Sequence, residues 1–153
     1  VQMQDLLDQP FRRRALTRRS EMETTWESSA FWQLRILDLE KAVALTSIPD
    51  RGEISFNLRL EDPIARYVGE TDGWSGTAGD YIVTLGDVSH ARHGSDASLP
   101  TMRASVGAFS RLWFGAAAPA SLAVSDELEA PEELLSELSW FLCLPTPSLD
   151  WVF

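Results

Sequence analysis

Few residues in this chain combine a type and a spacing that could do chemistry. His90 and His93 are the only histidines, with Asp87 and Asp96 close by. Zinc needs three or four ligands in tight geometry, and on a strand residues three apart face opposite sides. The pair is read as part of a surface hairpin, and no metal site is expected. Gly73-Trp74-Ser75-Gly76-Thr77-Ala78-Gly79 lacks the Gly-Lys-Ser/Thr ending of a phosphate loop and does not match G-x-G-x-x-G, so it reads as a connection. There is no G-x-S-x-G elbow, and Cys143, the single cysteine, closes an apolar helix with no histidine near it in sequence. Glu132 and Glu133 stand where a helix N-terminus favours negative charge. No nucleophile, acid–base pair or cofactor loop emerges.

The elements that would position any site are clearer. Trp32, Leu34 and Ile36 alternate with Gln33 and Arg35, which predicts a strand over Phe31 to Leu37. Asp38 is placed to cap a short helix over Leu39 to Ala44. Ile48 to Gly52 reads as a turn. In the next strand Ile54, Phe56, Leu58 and Leu60 point one way, and Asp62-Pro63 ends it. The glycine-rich stretch 69–80 reads as a loop, Tyr81 to Leu85 as a strand, and Val88 to Arg92 as its return across Gly86-Asp87. Thr101 to Ala104 is a last strand.

Three helices follow. One is capped by Ser105, carries Phe109, Leu112 and Trp113 on one face, and stops at Gly115. One starts at Pro119, and one opens after Pro131 with Leu134, Leu135, Leu138, Phe141 and Leu142 on its apolar side. Pro145 and Pro147 prevent continuation. Strands first and helices last predict an α+β domain, with a mostly antiparallel or mixed five-stranded sheet and helices packed on one face.

Length and composition agree with one domain: 153 residues, 44% hydrophobic and 24% charged. No stretch approaches the roughly 20 apolar residues of a membrane span. One cysteine leaves no internal disulfide, which makes a reducing cytoplasm the expected location. The net charge of −10 is uneven. Residues 1–20 hold five arginines (12, 13, 14, 18, 19) against Asp5 and Asp8, while the rest holds 8 basic and 21 acidic groups. An acidic body repels phosphate backbones, so nucleic acid is not the expected partner. Six tryptophans (26, 32, 74, 113, 140, 151) are many to bury in one domain, and some are expected to cover a neighbouring domain or another copy in an oligomer. The chain opens on Val1 rather than Met, as expected of a processed polypeptide or a piece of a longer one. Residues 1–25 read as the end of a preceding domain or a linker, and 26–153 as the domain proper.

Several segments together resemble one known family. Trp32-Gln33-Leu34-Arg35-Ile36-Leu37-Asp38-Leu39-Glu40-Lys41-Ala42 is similar to the W-x-R-L-x-D-x-x-x-A-L opening of the sterol-carrier-protein-like C-terminal domain in Eis-type N-acetyltransferases of the GCN5-related (GNAT) superfamily. Ser105-Val106-Gly107-Ala108-Phe109-Ser110-Arg111-Leu112-Trp113-Phe114-Gly115 looks like that domain's L-x-x-L-x-x-L-x-x-G helix. Leu122-Ala123 and Glu132 to Phe141 resemble its closing helices. Leu6-Leu7-Asp8-Gln9-Pro10, with Arg13-Arg14-Ala15-Leu16, resembles the end of the family's central domain. The resemblance implies a parent of three parts whose acetyltransferase domains are this chain's partners. The acetyl-CoA loop of such enzymes (Arg or Gln, two residues, Gly, one residue, Gly or Ala) does not occur here. Acetyl-CoA is therefore expected elsewhere in the parent, and no cofactor in this chain. In that family the C-terminal carboxylate is proposed as the general base for the attacking amine, which makes Phe153 the catalytic candidate by resemblance.

Two functional expectations result. In the first, the chain is the C-terminal part of a transferase and shapes a pocket for an amine substrate, its acidic body suiting a cationic amine. In the second, it is a free-standing lipid-binding or hydrophobic-ligand module. Its pocket walls would then be Trp32, Leu34, Ile36, Ile54, Phe56, Leu58, Phe109, Leu112 and Trp113. Alternating and helix-face apolar residues also serve as plain core.

Overall fold

Ile54, Phe56, Leu58 and Leu60 alternate with more polar residues, and this pattern builds the centre of the sheet. In a computed structural model that describes residues 34–68, 73–125 and 127–145, strand β1 runs Ile54–Glu61 and buries those four side chains. The unit that carries all described residues begins at Leu34. Before β1, helix α1 spans Leu39–Ala44, and the Asp38 carboxylate accepts from the Lys41 N–H at 3.0 Å. After β1, Asp62-Pro63 turns the chain into a 3-10 turn, Pro63–Arg66, because proline cannot donate to a ladder. Strands β2 (Gly79–Leu85), β3 (His90–His93) and β4 (Thr101–Ser105) follow. Then come α2 (Val106–Trp113), α3 (Pro119–Ser125), β5 (Leu128–Glu129) and α4 (Glu132–Phe141).

The five strands form one mixed sheet in the order β3-β2-β1-β4-β5. β1 is antiparallel to β2, with Phe56 opposite Val83, and parallel to β4, with Leu58 opposite Met102. The other two pairings are antiparallel. One face of the sheet is apolar: Phe56 and Leu58 of β1, Val83 and Leu85 of β2 and Met102 of β4 meet Val43, Phe109, Leu112, Leu122, Leu134 and Leu138 from the four described helices in one buried cluster. Each such side chain contributes about 1.5–3 kcal/mol through burial. The α+β class with helices on the apolar face is as the residue pattern predicts.

The opposite face is polar and partly covered. The connection from β3 to β4 crosses it, and Asn57 fastens that crossing. Its amide donates to the carbonyls of Asp96 (2.7 Å) and Leu99 (3.1 Å), and accepts from the Asp96 N–H (2.8 Å). A buried amide with its groups partnered carries no desolvation penalty.

The predicted strand over Phe31 to Leu37 is not seen in its described part. Residues 34–37 carry no strand, and Phe31 to Gln33 lie outside the described residues. Leu34 and Leu37 are 46% and 60% exposed while Ile36 is buried. The Ile36 N–H donates to Ser110 Oγ on α2 rather than to a ladder. The sheet's fifth strand is instead β5, two residues pairing with β4 through Ala104 and Leu128.

Candidate functional site

Seven of the nine apolar wall candidates come together. Ile36, Ile54, Phe56, Leu58, Phe109, Leu112 and Trp113 are all buried in the cluster between sheet and helices. The Ser105 cap, whose Oγ accepts from the Ala108 N–H at 3.1 Å, starts α2 where β4 ends. That fixes the helix face, so that Phe109 and Trp113, one turn apart, stack at 5.7 Å. Ser110 lies buried on the same helix, donating to the Val106 carbonyl at 2.7 Å and accepting from Ile36. Leu34 stands apart from this group, half exposed. Trp32 and Phe153 lie outside the described residues.

A second cluster was hidden in the sequence. Asp62, read there only as the end of a strand, is a buried carboxylate that gathers three segments. Arg35 donates through one terminal nitrogen to both carboxylate oxygens at 2.5 Å. The Ile64 N–H donates at 3.0 Å, the Thr77 N–H at 2.9 Å and Thr77 Oγ1 at 3.2 Å. The Asp62 side chain is 0% exposed and that of Arg35 33%. Burial works to raise the Asp62 pKa, but the N–H groups of Thr77 and Ile64 and then the Arg35 guanidinium outweigh it, and the carboxyl sits below its ordinary value.

The knot is closed by its neighbours. The Arg35 guanidinium lies 5.9 Å from the centre of the Trp74 ring, and Trp74 Nε1 donates to the Leu37 carbonyl at 3.0 Å. The Tyr81 hydroxyl donates to the Thr77 carbonyl at 3.0 Å. Its pKa is raised by burial and by the nearby carboxylates of Glu40, Asp38 and Asp62. Gly76 packs so tightly that a Cβ would lie 2.5 Å from Ile64 Cγ2 and 2.7 Å from an Asp62 oxygen, at a φ of +96°. Sequence periodicity could not reveal this cluster, because its members sit on turns. The one usable signal was glycine density around Thr77.

The remaining candidates stay apart. His90 and His93 lie on the exposed edge strand β3, where His93 rests against the Tyr81 ring at 4.3 Å. Among the described residues, no three His, Cys, Asp or Glu side chains gather as a metal set, and no helix is long and apolar enough to cross a membrane. Cys143 is exposed. Of the tryptophans, Trp113 is core, while Trp74 and Trp140 reach the surface, each beside an arginine. Arg51 covers Trp140 and donates to the carbonyls of Trp140 and Phe141, satisfying the C-terminal end of α4. Trp26 and Trp151 lie outside the described residues.

No protein-family model and no curated protein sequence matches the chain. Solved structures do. A GCN5-related N-acetyltransferase from Anabaena variabilis matches at 18% identity and a TM-score of 0.57, over 74% of this chain and 26% of that one. A GCN5-related N-acetyltransferase from Kribbella flavida matches at 18% identity and 0.54, over 71% and 25%. A conserved protein of unknown function from Enterococcus faecalis, described as a probable N-acyltransferase, matches at 15% and 0.53, over 70% and 25%. The chain thus spans about a quarter of the length of each of these structures. At such identities the likeness is one of fold: this α+β domain has an arrangement that also occurs as part of GCN5-related N-acetyltransferase structures.

Proposed function

We propose that this domain is the sterol-carrier-like C-terminal part of an Eis-type, GCN5-related N-acetyltransferase, where it shapes the pocket for an amine substrate and is not catalytic by itself. The observation that carries the reading is its fold likeness to N-acyltransferase structures, of whose length the match covers about a quarter. Two further facts support it. The chain has no acetyl-CoA loop pattern, so the acyl donor belongs to another part of the same polypeptide. Its acidic balance suits a cationic acceptor.

In this reading Phe153 supplies a carboxylate as general base. A free carboxylate of ordinary pKa near ~3.5 is ionised at neutral pH and gains basicity on partial burial. The test uses the whole natural protein, with acetyl transfer from acetyl-CoA to a panel of primary amines measured before and after removal of this domain. Removal is expected to abolish or redirect amine acetylation while acetyl-CoA binding persists. Unchanged turnover and acceptor preference would sink the reading. Deleting Phe153 alone is expected to lower kcat; an unchanged kcat removes the carboxylate from the mechanism and leaves the pocket-shaping role standing.

A further inference from the structure

The knot around Asp62 ties together segments that belong to no ladder. Residues 34–37 carry no strand, and neither do residues 73–78. Both are tied to one carboxylate: the first by Arg35, the second by the Thr77 N–H and hydroxyl. They are also tied to each other through Trp74 Nε1 and the Leu37 carbonyl. Asp62 itself follows the last residue of β1, and its bonds to Arg35 and Thr77 lie beyond the paired residues of β1 with β2 and β4.

Next to Arg35, Ile36 is held independently. Its side chain is in the core and its N–H donates to Ser110 Oγ at 3.1 Å. The segment therefore has two holds, one at Ile36 and one at Arg35.

We propose that the Asp62 carboxylate is a latch, holding residues 34–37 and the 73–77 loop together against the end of β1, and that on its release the 34–37 segment, Ile36 included, opens while the five-stranded sheet stays formed. Charge-assisted hydrogen bonds to one buried acceptor form and break as a set, because the group left alone is costly to keep dry. Segments outside the ladders open below the free energy of global unfolding. This device stands whether or not the domain belongs to a transferase.

The test is limited trypsin cleavage of the full chain, with peptides identified by mass, because the peptide bond after Arg35 lies inside the latch. Asp62→Asn removes the charge, and Arg35→Lys keeps a tryptic site while withdrawing the guanidinium nitrogen that reaches both oxygens. Both variants are expected to be cut after position 35 about 10-fold faster or more, with hydrogen exchange at Thr77 rising alongside. Exchange in β1, β2 and β4 is expected to stay as in the parent chain. Unchanged cleavage at position 35 in both variants would overturn the latch. So would a rise in exchange spread evenly over the sheet, since the pair would then be a part of global stability. Should Asp62→Asn fail to fold, Arg35→Lys alone decides.

Discussion

The apolar layer between sheet and helices and the knot around Asp62 are both buried, yet they are built on opposite plans. The layer is distributed: residues from four of the described strands and all four described helices share one cluster, and no single contact decides it. The knot is concentrated on one carboxylate that serves residues 35, 64 and 77. A distributed core fails everywhere at once, whereas a concentrated knot fails locally. Where the chain puts its charge thus sets which parts of the domain can move separately.

The largest effect is expected in the layer. Phe109→Ala deletes a side chain that touches α2's own Trp113 and the sheet, and should cost about 3–5 kcal/mol. Thermal unfolding followed by far-ultraviolet circular dichroism and by tryptophan fluorescence should shift together. A shift in only one of them would show that the layer is not one cooperative unit.

Gly76→Ala comes next. A methyl group at φ +96°, pressed against Ile64 and Asp62, should cost about 1–3 kcal/mol, with hydrogen exchange raised chiefly at Thr77. A uniform rise across β1 and β2 would erase the distinction between the two regions.

Acid titration sharpens the contrast further. The Asp62 pKa is lowered on folding. Its contribution is therefore complete above the unfolded value near ~3.9, and is lost as pH falls through the lower folded value. Unfolding curves of the parent chain and Asp62→Asn, compared from pH 6 down to pH 2, should converge at the acid end. Parallel curves would show that the carboxylate's ionisation contributes nothing to the knot.

The smallest effect belongs to a pair of the same chemistry in another setting. Arg59 and Asp80 face each other across β1 and β2 at 2.9 Å, with side chains 49% and 53% exposed. Arg59→Ala should change stability by about 0–1 kcal/mol. A loss matching that of the buried pair would mean that burial is not what separates them.

Most of the regular elements were legible in the sequence. β1 announces itself by alternation, and β2 and β4 as short runs bounded by turns and loops. Asp38 and Ser105 cap the helices they were expected to cap, and Pro119 and Pro131 start the two that follow. Those are local signals, and local physics decides them. β5 escaped notice because two residues carry no period, and its pairing depends on β4 already lying beside it. Residues 34–37 mimic a strand because Leu34 and Ile36 continue an apolar spacing of two, whereas the Ile36 N–H goes to Ser110 Oγ and the Arg35 side chain to Asp62.

The candidate site was legible only as burial. Periodicity says that Phe56 and Phe109 turn inward, but what meets them is set by contacts far apart in sequence. The same limit hid Asp62, whose charged partner is 27 residues away. Nothing in its neighbourhood distinguishes a buried aspartate from one that merely ends a strand.

The central place of β1 bears on how the sheet comes into being. One of its edges is covered by β2, which follows closely, but the other waits for β4: Asn57 lies opposite Thr101, 44 residues further on. While a growing chain is shorter than that, a strand with an apolar face shows a bare row of backbone donors and acceptors, a template for the same strand of another copy. Joining partners so distant is also intrinsically slow. The timing of synthesis through Ser105, rather than the final strength of the fold, therefore governs whether this sheet closes on itself or on its neighbours. Any shortened version that stops before β4 invites aggregation.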